Sequence, residues 1–321
     1  MKTTLITLSA ALALTASAQA STLTDTYTGF YSFGDSLSDD GKGVAPALLP
    51  YFEGRFSNGL VWAEVIEDEF SDAGVQTANF ALGGATAQGG DNEIPFARLS
   101  TFSGQIGTFE DLDDLGLIDA GDNPLTSVWF GANDVFAALG AASPTLLQDA
   151  RDAADAVTEG VREIANDSGF LFDDFVIVSL PNLASTPAFA GIAAAAAVTE
   201  AFNSQLATNI TGLEADGINV FSYDSNILFD AALNGELGYA VTDIPCYIED
   251  VFNCSPDSVE GADPYLFIDG VHPTRTAHFS IAEGVSAQIT GELTPVPLPA
   301  TAPMILVAFA GLALVTRRRK A

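Results

Sequence analysis

The segment 29–42 reads GFYSFGDSLSDDGK and passes from an apolar run into a loop rich in glycine, serine and aspartate. The run from Gly29 to Phe33 predicts a buried β-strand, and the residues that follow it are ordinary turn formers. Ser36 therefore has two interpretations: a nucleophile presented at the end of a strand, or a turn residue that only terminates it. Features elsewhere in the chain must decide between them.

Four further apolar runs, each followed by turn residues, also predict strands: Val75 to Phe80, Ser127 to Phe130, Phe175 to Ser179 and Asn219 to Tyr223. Helical patterns lie between these runs. The clearest begins at Ser143-Pro144 and places one apolar face on Ala150, Ala154, Val157, Val161 and Ile164. Two others start near Gly59 and Ala194. Strands that alternate with helices predict an α/β fold with a parallel sheet.

Several polar or glycine-rich signals follow the first three predicted strands. Ser36 follows the first, Gly83 and Gly84 follow the second, and Asn133 follows the third. In open parallel sheets, ligand sites form outside the carboxyl ends of the strands, so these residues are expected at one edge. Each signal has a second interpretation, since the glycines are also typical of a tight turn and Asn133-Asp134 of a helix cap.

The chain contains only two histidines, which limits the search for a general base. His272 lies in FIDGVHPT, and Pro273 disfavours helical geometry at His272, so we expect its imidazole to project from a loop. Asp269 is near enough in sequence to accept from one ring nitrogen while the other faces a serine. Taken alone, this pair is equally typical of a cap or loop network. His278 lies in the following helical pattern and is predicted to be packed or exposed surface.

Motif order makes the interpretation specific. Four segments occur in the order that resembles the GDSL, or SGNH, family of lipases and esterases: Gly34-Asp35-Ser36-Leu37, Asn79-Phe80-Ala81-Leu82-Gly83-Gly84-Ala85, Gly131-Ala132-Asn133-Asp134 and Asp269-Gly270-Val271-His272-Pro273-Thr274. Intervening segments that also resemble the family are Gly54-Arg55-Phe56-Ser57-Asn58-Gly59, Leu180-Pro181-Asn182-Leu183 and Thr186-Pro187. The resemblance extends from about Phe30 to Ile289.

This resemblance implies a flavodoxin-like three-layer α/β/α sandwich around a five-stranded parallel sheet. It implies Ser36 as nucleophile, His272 as general base and later acid, and Asp269 as the carboxylate that orients the imidazole. The oxyanion donors would be the backbone N–H groups of Ser36 and Gly84 and the side-chain amide of Asn133. We expect no metal or organic cofactor. Asp35 is expected to brace its loop, because a carboxylate beside Ser36 would oppose oxyanion formation.

Three functions remain open from the sequence. The first is hydrolysis of small-molecule or lipid carboxylic esters through an acyl-enzyme. The second is O-deacetylation of polysaccharide with the same residues. The third is a non-catalytic, acidic surface or matrix protein on an inherited hydrolase fold. Against the third stands the complete set of five site residues, which a binding module has no reason to retain.

Both ends of the chain carry targeting signals. Lys2, the apolar run from Leu5 to Ala16 and the small residues 18–20 predict a signal peptide, residues 1–20, cleaved after Ala20. The segment 294–321 contains VPLPA, an uncharged stretch of about 17 residues and then a basic cluster, 317–320. It resembles a VPLPA-type (PEP-CTERM-like) sorting signal, which implies an exosortase-like processing protease; a plain inner-membrane tail anchor is the alternative. Residues 21–293 would then form one exported domain of a Gram-negative bacterium, periplasmic, surface-bound or secreted.

The predicted domain is strongly acidic. The whole chain has a formal net charge of −31, with 42 acidic and 11 basic residues. Because five of the basic residues lie in the two ends, the domain itself carries about −36. Nucleic acid is therefore excluded as a partner, since phosphate backbones require a cationic surface.

Cysteine and aspartate spacing raise two further questions. Cys246 and Cys254 are predicted to form a disulfide in an exported protein. A two-cysteine metal site is the alternative, although no histidine is nearby in the sequence. Residues 111–116, DLDDLG, half match a calcium loop, but Leu115 occupies a ligand position, so we expect an acidic solvated surface there.

Overall fold

A computed structural model describes most of the predicted domain. The described residues are 22–45, 51–90, 95–166, 172–248, 251–254 and 264–291. The predicted signal peptide, residues 1–20, and the predicted sorting segment, residues 294–321, lie outside them. Within these ranges, none of the helices combines the length and the apolar character needed to cross a bilayer.

Five parallel strands form the central sheet: β1 (Gly29–Gly34), β2 (Gln76–Asn79), β3 (Pro124–Trp129), β4 (Asp174–Val178) and β5 (Asn219–Tyr223). Their order is β2-β1-β3-β4-β5, and every neighbouring pair is parallel. All five strands overlap the predicted apolar runs, although β3 begins three residues earlier than predicted, so the predicted flavodoxin-like sheet is confirmed. The order reverses between β1 and β3, which opens a crevice beyond the carboxyl ends of these two strands.

Helices cover both faces of the sheet: α1 (Trp62–Asp72), α2 (Pro95–Arg98), α3 (Phe102–Asp114), α4 (Ala132–Gly140), α5 (Leu146–Asn166), α6 (Ala193–Ala215), α7 (Ser225–Leu233) and α8 (Arg275–Thr290). One hydrophobic core joins α3, α4, α5 and α6 to one face, and a second joins α1, α7 and α8 to the other. The result is the predicted three-layer sandwich. A two-stranded hairpin, β6 (Tyr247–Ile248) and β7 (Val251–Phe252), lies outside the sheet.

Burial of β1 on both sides explains its continuous apolar sequence. Phe30 points into the core with α1, whereas Tyr31 and Phe33 point into the core with α3. The ring of Phe33 stacks on Phe80 at a centroid distance of 5.1 Å and contacts Phe109 edge-on at 6.0 Å. These aromatic contacts hold the strand that ends immediately before Ser36.

Predicted helices match the observed ones, but their starts differ. The helix predicted from Ser143-Pro144 begins at Leu146, because the Ser143 and Thr145 hydroxyls hold the preceding residues in a turn around Asp149. Its predicted apolar face is buried. The helix predicted from about Gly59 begins three residues later, at Trp62.

The half-matched calcium segment has a different local structure from an ion-binding loop. Asp111–Asp114 form the last turn of α3, and Asp111, which is largely exposed, pairs with Arg98. Across the described residues, no group of three or more histidine, cysteine or acidic side chains has an arrangement that suits a metal ion. This segment is therefore an exposed helix end.

Candidate active site

The first feature of the site is the end of β1, which fixes the position of Ser36. Gln105 on α3 makes two hydrogen bonds to the backbone of Gly34, the last residue of the strand. Its Oε1 accepts from Gly34 N at 3.0 Å, and its Nε2 donates to Gly34 O at 2.8 Å. Gln105 is fully buried. The chain leaves the sheet two residues before Ser36 with its backbone anchored by a side chain from a neighbouring helix.

A chain of short hydrogen bonds joins the three predicted catalytic side chains. His272 Nε2 lies 2.8 Å from Ser36 Oγ, although the two residues are 236 positions apart. On the other side of the ring, His272 Nδ1 lies 2.7 Å from Asp269 Oδ2. This arrangement can pass the hydroxyl proton of Ser36 to the imidazole while the carboxylate holds the opposite nitrogen protonated.

Backbone donors and the imidazole keep Asp269 ionised. Its Oδ1 accepts from Val271 N at 2.9 Å and from His272 N at 2.8 Å. Burial would raise the pKa of Asp269, but the neighbouring His272 and these hydrogen bonds outweigh it and lower the pKa to about 2. At neutral pH Asp269 is therefore a carboxylate that accepts from His272 Nδ1–H.

A tight hairpin presents Asp269 and His272 together. Ile268 N donates to His272 O at 2.9 Å, and Thr274 N donates to Leu266 O at 2.9 Å, so the chain turns back on itself across residues 268–272. Helix α8 starts at Arg275, directly after the hairpin. As predicted, the imidazole projects from a loop just before the last helix.

Gly84 and Ser36 offer the predicted backbone donors. Gly84 has a φ of +84°, a conformation that glycine adopts without strain, and a Cβ there would meet nothing within 4 Å. Neither Ser36 N nor Gly84 N donates to another group in the part of the chain that the structure describes. Both N–H groups are therefore available to a ligand.

Asn133 stands at the first turn of α4, after β3. Its Nδ2 donates to Ala85 O at 2.9 Å, which ties the amide to the loop that carries Gly84 and leaves its second proton for a ligand. The next residue, Asp134, accepts from Ala87 N at 2.9 Å and from Gln88 N at 3.1 Å. The amide and the glycine loop are thus fixed relative to each other.

Asp35, beside the serine, serves its own loop. Its Oδ1 accepts from Leu37 N at 3.0 Å, in keeping with the predicted bracing role. The side chain is buried, and burial raises the pKa of Asp35 to about 7.

The site contains residues that sequence reasoning missed. The Tyr51 hydroxyl donates to Asp269 Oδ2 at 2.8 Å, and the Phe56 ring lies 4.9 Å, centroid to centroid, from the His272 ring. Asp39 Oδ2 accepts from Gly83 N at 2.7 Å. Phe56 lies in the segment 54–59 that resembles the family, but Tyr51, Asp39 and Gln105 carry no sequence signal of this role.

Cys246 and Cys254 are joined in a disulfide. They lie next to the hairpin of residues 268–272 that carries Asp269 and His272, called here the catalytic hairpin. Cys246 N donates to Phe267 O at 3.0 Å, and Tyr247 N donates to Ile268 O at 3.0 Å. The disulfide segment is therefore paired with the residues that lead directly into Asp269.

His278 is a packing residue, one of the two roles predicted for it. It is fully buried on α8, and its Nδ1 accepts from Trp62 N at 3.3 Å. Burial lowers the pKa of His278 to about 3, so the ring is neutral at ordinary pH.

The chain is similar to known proteins over most of its described length. The family model described as GDSL-like Lipase/Acylhydrolase matches residues 30–285. A phosphatidylcholine-sterol acyltransferase of Aeromonas hydrophila is 32% identical over 190 residues, which cover 56% of this chain and 52% of that protein. The chain thus matches about half the length of that relative.

Two further similarities extend over more of the chain. An acetylesterase of Thermothelomyces thermophilus is 28% identical over 284 residues, 79% of this chain and 86% of that protein. Among solved structures, an α/β hydrolase from the metagenome of Lake Arreo, Spain, aligns with 84% of this chain and 97% of its own, at 16% identity and a TM-score of 0.48.

The buried neutral His278 predicts a pH-dependent loss of stability. The unfolded chain protonates this ring below about pH 6.5, whereas the folded protein does so only near pH 3, so acidification favours unfolding. When the pH falls from about 7.5 to about 5, this difference in the pKa of His278 should lower the free energy of unfolding by about 2 kcal/mol. Chemical denaturation of the wild type and His278→Gln at both pH values measures this difference.

In the variant we expect this acid-induced component to disappear. The raised pKa values of Asp35 and Glu67, both about 7, act in the opposite direction, but they are common to both proteins and cancel in the comparison. An identical pH dependence in the two proteins would show that His278 is not held neutral by burial.

Proposed function

The chain belongs to the GDSL-like lipase/acylhydrolase family, and we propose that it hydrolyses carboxylic esters through an acyl-enzyme on Ser36. The observation that carries the proposal is the unbroken hydrogen-bonded chain from Ser36 Oγ through His272 to Asp269. It lies beyond the carboxyl end of β1, where the strand order reverses and ligand sites form.

In the first half of the proposed reaction, Ser36 Oγ attacks the carbonyl carbon of the ester while its proton passes to His272 Nε2. Asp269 stabilises the imidazolium that forms, because it remains ionised and accepts from Nδ1–H. When the tetrahedral intermediate collapses, the bond to the leaving oxygen breaks and Nε2–H protonates that oxygen. The alcohol leaves and the acyl group remains on Ser36.

Water completes the cycle. A water molecule attacks the acyl carbon and gives a proton to His272 Nε2. When the second tetrahedral intermediate collapses, the bond between the acyl carbon and Ser36 Oγ breaks, Nε2–H returns the proton to Oγ, and the acid departs. In both halves, negative charge on the former carbonyl oxygen would accept from Ser36 N, Gly84 N and Asn133 Nδ2. These donors are held in advance, so they need little reorganisation as the charge develops.

A second candidate is O-deacetylation of polysaccharide by the same residues. The similarity to an acetylesterase over most of both chains favours a small acyl group. Hydrolysis rates of residues 21–293 on p-nitrophenyl esters of increasing chain length and on acetylated glycans separate the candidates. A small-acyl enzyme should prefer acetate over octanoate esters. A rate that rises with chain length would favour a lipase.

We also propose that the enzyme is exported. The support is the signal-peptide pattern of residues 1–20, the sorting pattern of residues 294–321 and the Cys246–Cys254 disulfide, since disulfides persist in oxidising compartments. On this proposal the C-terminal segment engages the inner membrane, at least transiently, and an exosortase-like protease processes it.

Removing either end of the proton path should abolish hydrolysis. We expect Ser36→Ala and His272→Ala each to lose measurable activity on a p-nitrophenyl ester, while the circular dichroism spectrum stays that of the wild type. Ser36→Ala removes the nucleophile, and His272→Ala removes the group that takes its proton. Activity retained in a purified variant would exclude that residue from the mechanism.

Loss of one oxyanion donor should slow the chemical step more than binding. Asn133→Ala should lower kcat about 100- to 1000-fold, as for other oxyanion-hole donors, with a smaller change in KM. Asn203→Ala is the control, since this amide also bonds to a backbone carbonyl, that of Leu180, but belongs to α6. Equal losses of kcat in the two variants would contradict the role of Asn133.

A further inference from the structure

We propose that Tyr51 is a positioning residue that extends the chain Ser36–His272–Asp269 to a fourth side chain. Its hydroxyl donates to Asp269 Oδ2 at 2.8 Å, and this is the same oxygen that accepts from His272 Nδ1. This inference rests on the proposed function, because it assigns Tyr51 a role in holding the group that orients the general base.

The contacts of Asp269 show why a donor from Tyr51 matters. The two backbone N–H groups that bind its carboxylate both contact Oδ1. Oδ2 contacts the imidazole and the Tyr51 hydroxyl. Tyr51 is therefore the donor that fixes Oδ2 from outside the hairpin, so it limits rotation of the carboxylate away from His272 Nδ1.

The hydroxyl of Tyr51 remains a donor at any pH where the enzyme would work. Burial and the neighbouring carboxylate of Asp269 both raise the pKa of Tyr51 above that of an ordinary tyrosine. A protonated phenol beside an ionised carboxylate forms a charge-assisted hydrogen bond, which is stronger than one between neutral groups.

Aromatic contacts connect Tyr51 to the imidazole by a second path. The Tyr51 ring lies 5.6 Å from the Phe56 ring, which in turn lies 4.9 Å from the His272 ring. Phe56 also covers Gly83 so closely that a side chain at that position would overlap its ring. Phe56, packed against Tyr51, thus contacts both the imidazole and the loop that carries Gly84.

The segment that carries Tyr51 and Phe56 is anchored at both ends of its turn. Phe52 N donates to Ser57 O at 2.8 Å, which closes the turn between the two rings. Arg55 makes two hydrogen bonds of 2.7 Å to Glu64 on α1. Asn58 Oδ1 accepts from Arg275 N at 2.8 Å, at the start of α8. Tyr51 is held in place before substrate arrives, as positioning requires.

Behind Tyr51 lies the disulfide. Tyr51 packs against the small cluster of Cys246, Cys254 and Ile268, the residue directly before Asp269. Its ring therefore packs beside the disulfide and Ile268, while its hydroxyl reaches the carboxylate of Asp269.

The test compares Tyr51→Phe, which removes one oxygen, with the wild type. On a p-nitrophenyl ester we expect kcat about tenfold lower, the size of one hydrogen bond to a charged group, and KM within about twofold. Tyr31→Phe is the matched control, because it removes a tyrosine hydroxyl that donates to Asp119 O, away from the triad. The control should keep both constants.

A spectroscopic readout separates positioning from a purely structural effect. With two histidines in the chain, protein labelled with ¹⁵N-histidine gives imidazole signals that Ser36→Ala, His272→Gln and His278→Gln can assign. In Tyr51→Phe the His272 Nδ1–H resonance should move upfield, since a carboxylate that can rotate away from Nδ1 accepts less strongly from it. Tyr31→Phe should leave it in place.

The outcomes distinguish this proposal from the proposed function. If Tyr51→Phe keeps the wild-type kcat, or if kcat falls while the resonance stays in place, Tyr51 is not a positioning residue. If Ser36→Ala hydrolyses the ester as the wild type does, the acyl-enzyme proposal fails, whereas the resonance still reports whether Tyr51 holds Asp269.

Discussion

The contact between His272 Nε2 and Ser36 Oγ is the constraint on which the site depends. It joins the end of β1 to a hairpin 236 residues later, so local sequence alone cannot bring the two atoms together. The strand order makes this contact possible. The reversal between β1 and β3 leaves a crevice at the end of β1, and the hairpin before α8 lies there. Ser36 is held from its own side by the aromatic packing of Phe33 and by the two hydrogen bonds of Gln105 to Gly34.

Buried and half-buried carboxylates organise the loops around this contact. Asp39 accepts from Gly83 N and also from Gly41 N and Lys42 N, Asp134 accepts from two N–H groups after Gly84, and Asp269 accepts from two in its own hairpin. Each one accepts hydrogen bonds from backbone N–H groups of these loops and so fixes the course of the loop backbone. Acidic residues far outnumber basic ones in this chain. A few of them are fixed hydrogen-bond acceptors that shape the site, while the exposed ones give the protein its negative surface charge.

Sequence patterns predicted the sheet and the central side chains well, for identifiable reasons. Strands buried on both faces are continuous apolar runs, and motif order identified Ser36, Asp269 and His272 without any distance information. Contacts between residues far apart in sequence left no such pattern: Gln105 reaches Gly34 across 71 positions, and Tyr51 reaches Asp269 across 218. The start of α5 was misplaced because side-chain hydrogen bonds around Asp149, and not the Ser-Pro pair alone, decide where the helix begins.

The most direct test of the account is to identify the residue that becomes covalently modified. Residues 21–293 would be treated with a fluorophosphonate, digested and mapped by mass spectrometry, with His272→Ala treated in parallel. A hydroxyl activated by the imidazole predicts one adduct, on the peptide that contains Ser36, and its loss in the variant. An adduct on a different residue, or labelling of Ser36 that does not depend on His272, would contradict the account.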